Sequence, residues 1–149
     1  MPEKRVQDRA RADAEAGKSP SVQAGEFVHE EMRHIREGEH GARSSKQAIA
    51  IGLSKARRAG VKLPAPAAGK ATPAVRRKAK QDLARGRRAG SRSAGRAKPT
   101  AGALRRESRA SASPKALSTQ ARSAAQRPGP TARKASARKT ARTRQRQAR

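Results

Sequence analysis

Three histidines, with no cysteine, tyrosine or tryptophan, make a short inventory of groups able to do chemistry in this chain of 149 residues. Two of them bracket His29-Glu30-Glu31-Met32-Arg33-His34. A zinc-binding HExxH helix needs its histidines at i and i+4, so that both rings face one ion. The spacing here is i+5, which turns the rings about 140° apart on a helix. His40 follows Gly38 and adds a donor beside Glu37 and Glu39, but no regular element sets their geometry. No metal ion and no cofactor is therefore expected. Gly17-Lys18-Ser19 has the form of the end of a phosphate-binding loop whose first glycine would stand at position 12. Ala12 stands there instead, and no strand precedes it. With no Ser-His-acid set on a rigid scaffold, nucleophilic and acid–base catalysis lack a seat, and the chain is not read as an enzyme.

The chemistry the sequence does supply is cationic. Lys and Arg number 38 against 11 Asp and Glu, a formal net charge of +27. A charge of that size calls for a polyanionic partner. It is unevenly spread: residues 1 to 45 hold 8 basic and 9 acidic side chains, residues 46 to 149 hold 30 and 2. The densest basic run is Arg133, Lys134, Arg138, Lys139, Arg142, Arg144 and Arg146, followed by Arg76, Arg77, Lys78 and Lys80. Lys55 and Arg58 flank Ile51 on one side of a third segment, the kind of surface that grips phosphate. These thirteen basic residues are the candidate nucleic-acid contacts.

What must position them is a small amount of apolar material. Leu, Ile, Val and Phe together number 14, which is too few for one large core. Ten apolar residues from Val22 to Leu63 (Val22, Phe27, Val28, Met32, Ile35, Ile49, Ile51, Leu53, Val61 and Leu63) concentrate what core there is. Three helix starts are marked. Ser19-Pro20 and Thr72-Pro73 each place a hydroxyl cap before a proline at the first helical position, and Ser44-x-x-Gln47 has the form of a capping box. Gly38, Gly60 and Gly90 stand where the helices should stop. On the second helix Ala24, Val28, Met32 and Ile35 share one face with Phe27 on its flank; Glu26, Glu30, Arg33 and Glu37 form the opposite face, read as solvated. On the third, Ile49, Gly52, Leu53 and Ala56 align for packing on the second, with Gly52 admitting close backbone approach. Ile51 lies nearly opposite, either covered by the fourth helix through Val75, Ala79 and Leu83 or open to a protein partner.

The expected fold class is mostly α: a small helical module of three to four short helices followed by a long disordered basic C-terminal tail. Residues 1–18 form a charged N-terminal helix, weakly docked because only Val6, Ala10 and Ala14 offer it an apolar stripe. Residues 19–63 form the small helical core, 64–89 a linker and basic helix, and 90–149 the tail.

The runs GEFVHEEMRHIREG (25–38) and SKQAIAIGLSKARRAG (45–60) resemble a family of small basic bacterial proteins whose helical domain has no known function. Lys46-Gln47-Ala48-Ile49-Ala50-Ile51-Gly52-Leu53-Ser54 is the most specific part. The resemblance implies a compact helical module followed by Lys/Arg/Ala-rich sequence, and brings no activity and no site residues. That family often carries a short glycine- and lysine-rich insertion between the two helices, which Glu39-His40-Gly41-Ala42-Arg43 replaces here. The tail is similar in composition to linker-histone tails and bacterial histone-like proteins, with Ser113-Pro114-Lys115 as a local echo.

The function expected from this reading is non-enzymatic, low-specificity nucleic-acid binding by phosphate neutralisation, duplex DNA favoured over RNA, in a cytoplasmic, nucleoid-associated protein. A single aromatic, Phe27, leaves no stacking platform for single strands. Two alternatives stay open: an RNA- or ribosome-associated protein, and a protein-interaction module, reached through the Ile51 face, that the tail only localises. No run approaches the ~20 apolar residues of a membrane span, and nothing in the sequence specifies an oligomer.

Overall fold

A computed structural model describes residues 4–88 and 102–147, with side chains to residue 145. The chain is mostly helical, with no strand among the described residues. Helices α1 (Lys4–Glu15), α2 (Pro20–Glu37), α3 (Ser45–Arg58) and α4 (Pro73–Arg87) are followed by a 3₁₀ turn (Arg109–Ala112), α5 (Pro114–Gln126) and α6 (Pro130–Gln147). Two compact units divide it, Met1–Ser113 and Pro114–Arg149.

The helix starts lie where the hydroxyl caps predict. Ser19 Oγ accepts from Val22 N at 3.4 Å, Ser44 Oγ from Gln47 N at 3.2 Å, and Thr72 Oγ1 from Val75 N at 3.4 Å. Gln47 reaches back one residue beyond the cap, its Oε1 accepting from Arg43 N at 2.8 Å, so a second N–H at the helix entry is satisfied as in a capping box. α2 ends on Gly38 in the left-handed region (φ 85°), with its N–H directed at the carbonyls of His34 and Ile35. The stop expected at Gly90 lies outside the described residues.

In the first unit α2 packs on α1 and α3, and α3 packs on α4. Val6, Ala10, Ala24, Phe27, Ala56, Val61 and Leu63 make the core, with Leu53 against it. Gly52 is what lets α2 and α3 meet: a Cβ there would lie 2.7 Å from Val28 Cα. α1 is tied down more firmly than its weak stripe suggests, because Val6 and Ala10 are both buried in that core. Residues 61–66 run along the module, held by Arg57, whose Nε donates to Leu63 O (3.1 Å) and whose second guanidinium nitrogen donates to Pro64 O (3.2 Å). Burial pushes the Arg57 guanidinium below its ordinary pKa, and the charge of Asp82 opposes that fall.

A strap, residues 104–112, packs on the same unit although the sequence reading assigned it to the tail. Gly41 N donates to Leu104 O (2.8 Å) and Ala42 N to Ser108 O (3.0 Å). Ser45 Oγ donates to Ser111 O (2.5 Å) and Arg36 Nε to Ala112 O (3.0 Å), which buries Ser111 and Ala112.

The second unit corrects the expectation of a disordered tail: α5 and α6 are continuous helices. Low apolar content rules out a core, but helicity draws on propensity. Ala, Arg, Lys and Gln are strong helix formers, and Pro114 and Pro130 open the two helices with φ already set.

Candidate nucleic-acid interface

The two units treat their cations in opposite ways. In the first, two buried acidic nodes draw cations inward. Glu31 on α2 has no exposed side-chain area, and its Oε2 lies 2.6 Å from Lys55 Nζ on α3; Glu30 Oε2 lies 3.9 Å from the same ammonium. Glu30 is buried (3% exposed), which corrects its assignment to a solvated face. It sits one residue before Glu31 and shares the Lys55 ammonium with it, whose charge offsets part of the cost of taking both carboxylates out of water. Glu26 is half-buried and paired with Arg9 at 3.3 Å, while Arg33 and Glu37 are exposed.

The second node is Asp82 on α4, 1% exposed. Ser54 Oγ donates to its Oδ2 at 2.6 Å, Lys78 Nζ lies 3.0 Å from Oδ1, and Arg58 Nε lies 3.8 Å from Oδ1. This polar node, with buried Ala79, docks α4 on α3. Val75 stays half exposed, so the apolar contact expected of Val75, Ala79 and Leu83 reduces to its lower part. Ile51 is half-buried rather than an open patch.

The thirteen candidate contacts therefore separate. Lys55 is 15% exposed and faces Glu31; Lys78 and Arg58 face Asp82; Arg76 Nε donates to Pro66 O at 3.2 Å. Arg77 and Lys80 are exposed on α4, with no acidic partner among the described residues. On α6, Arg133, Lys134, Arg138, Lys139, Arg142 and Arg144 are all exposed, and the side chain of Arg146 lies outside the described residues. Residues 114–149 contain 11 Lys and Arg and no Asp or Glu, so this unit has no acidic side chain with which to pair them.

The geometry of α6 follows from its sequence. Eighteen residues make a rod about 27 Å long. Its seven basic positions spread over about 240° of the circumference, and the remaining sector holds Ser136, Thr140, Thr143 and Gln147. Lys134, Arg138, Arg142 and Arg146 repeat at i,i+4 and align as one stripe. Each like-charged i,i+4 neighbour destabilises an isolated helix by about 0.2–0.5 kcal/mol. An anionic surface laid along the stripe converts that repulsion into attraction.

The histidines occupy two faces of α2, as the i+5 spacing requires. His29 is exposed and His34 is buried. The loop after Gly38 brings His40 back over the helix, so that donor atoms of Glu31, His34 and His40 all lie within 4.8 Å of one another. Reading His29 with His34 missed this set. The signal present in the sequence was Glu31-x-x-His34, a carboxylate and an imidazole one turn apart on one helix face.

Residues 17–67, about a third of the chain, match the model of a family of unknown function (DUF6496). The match spans α2, α3 and the segment that follows, and fits a helical domain without an assigned activity. Neither a curated protein nor a solved structure matches the chain. Among the described residues no helix is long and apolar enough to cross a membrane.

Proposed function

We propose that this is a non-enzymatic nucleic-acid-binding protein of low sequence specificity, favouring duplex DNA, in which the C-terminal unit neutralises phosphates and the helical module carries it. The observation that supports this reading is the exposed basic stripe of α6 in a unit without acidic residues. A lone polar helix of this charge gains little from its own chain. A duplex presents one phosphate per about 1.7 Å of axis, and an α-helix of ordinary diameter fits its major groove. Arg and Lys contacts to phosphate set position rather than sequence, since base edges are read by groups held in fixed register. A nucleoid-associated role in the cytoplasm is the cellular counterpart of such binding.

The test is a salt titration of the full-length chain on one duplex DNA and one structured RNA of equal length, each also competing with the other. Each phosphate neutralised on duplex DNA contributes about −0.9 to the log–log slope, so glutamine at Arg133, Lys134, Arg138, Lys139, Arg142, Arg144 and Arg146 is expected to flatten the slope by up to about 6. An unchanged slope would move the binding surface to the module. RNA winning the competition at about 150 mM salt would replace DNA by structured RNA as the target.

A further inference from the structure

The loop that follows α2 folds back over the C-terminal half of the helix and gathers a buried carboxylate and two imidazoles. We propose that Glu31, His34 and His40 bind one divalent transition-metal ion, of which zinc is the best fit, and that this ion clips the 39–42 loop onto α2.

The first support is geometry. Glu31 and His34 stand at i,i+3 on α2, and the loop folds His40 back so that the three donor atoms fall within 4.8 Å of one another. His40 Nε2 lies 3.4 Å from Glu31 Oε1. That is close to the edge of a tetrahedron with metal–ligand distances of about 2.0–2.1 Å, whose donors stand about 3.3 Å apart. Glu39 Oε2, on a half-exposed side chain, lies 3.6 Å from His34 Nδ1 at the edge of this cluster.

The second support is the chemistry of Glu31. Its side chain is wholly buried, and Oε1 has no hydrogen-bond partner. Lys55 Nζ faces Oε2 at 2.6 Å, which leaves Oε1 directed at His40. A buried anion with one oxygen turned into a cluster of imidazoles is the donor a cation needs.

The third is the setting of His40. Its Nδ1 lies 3.2 Å from the carbonyl oxygen of Gly41. Donation from Nδ1 to that carbonyl holds the tautomer in which Nε2 carries the lone pair, the outer contact that metal-binding histidines characteristically make. Two imidazoles with one carboxylate suit zinc and its neighbours, whereas magnesium and calcium take oxygen donors. The ion would also fasten the strap indirectly, because Gly41 and Ala42 donate to Leu104 and Ser108 from this same loop.

The chain makes the test clean, since it has three histidines and no cysteine. Full-length protein stripped with a chelator is titrated with Co²⁺, whose visible absorption reports tetrahedral nitrogen and oxygen donors, and with Zn²⁺ while its thermal midpoint is followed. One ion per chain, tetrahedral cobalt bands and a rise in Tm with Zn²⁺ are expected. His34→Gln and His40→Gln should each abolish the bands, and His29→Gln should leave them intact. Far-UV circular dichroism checks that each variant keeps the helical fold, so that lost bands report lost ligands. Absent cobalt bands, or equal binding by His40→Gln and the parent, would overturn the site and leave Glu31 and His40 as an ion pair only. Loss of binding in His29→Gln would overturn it equally, by showing adventitious surface coordination.

Discussion

The two units carry like charge to different ends. Met1–Ser113 holds 27 basic and 11 acidic residues, and its buried acids draw cations onto them, Lys55 to Glu31 and Lys78 and Arg58 to Asp82, while Lys18–Asp13 and Arg9–Glu26 pair at the surface. Pro114–Arg149 holds 11 basic residues and no acid, and its described cations face solvent. Net charge alone does not separate these uses. In the first unit a cation on a buried carboxylate lowers the energy of a packed interface; in the second each cation adds to a field that only an external anion can relieve.

Three substitutions probe this contrast, in decreasing order of effect. Phe27→Ala removes the largest fully buried side chain of the core and should destabilise the first unit by about 3–4 kcal/mol. Thermal unfolding followed by circular dichroism would show the loss. Affinity for duplex DNA and its salt slope should stay close to the parent values, and a collapse of binding would mean that the units do not divide the work. Lys55→Met leaves Glu31 as a buried carboxylate without its ammonium and should destabilise the module by about 3 kcal/mol in a urea titration. The salt slope should not change; a decrease of one unit would place Lys55 among the phosphate contacts. Lys134→Gln is the converse. It should flatten the slope by about 1 with no shift in the module's thermal midpoint.

Much of the module was legible because its signals are local. Ser19-Pro20, Ser44-x-x-Gln47 and Thr72-Pro73 act within one turn, and the helices start there. Gly52 announced the close crossing of α2 and α3. The surface assignments held less well. Glu30 reads as solvent-facing because amphipathic patterning counts a carboxylate as exposed, and that pattern does not register a lysine arriving from another helix. The helices of the second unit were missed for a different reason: scarcity of apolar residues was treated as scarcity of order, although Ala, Arg, Lys and Gln favour helix without a core. The grouping of Glu31, His34 and His40 is not legible in the sequence, because His40 reaches Glu31 only through the path of a loop.

The sequence by itself determined the mostly helical class, the starts of α2, α3 and α4, the apolar stripe of α2 and the concentration of uncompensated charge toward the C-terminus. These are consequences of residue type at short range: a cap bonds three residues ahead, a helix face repeats every three or four, and charges add wherever they lie. The tertiary structure alone decided which acids are buried, which cations they hold, that residues 104–112 strap the module, and that His40 meets Glu31 and His34. Such pairings join residues as far apart as Arg36 and Ala112. Their energies depend on the desolvation and distance that packing imposes, quantities that no local pattern contains.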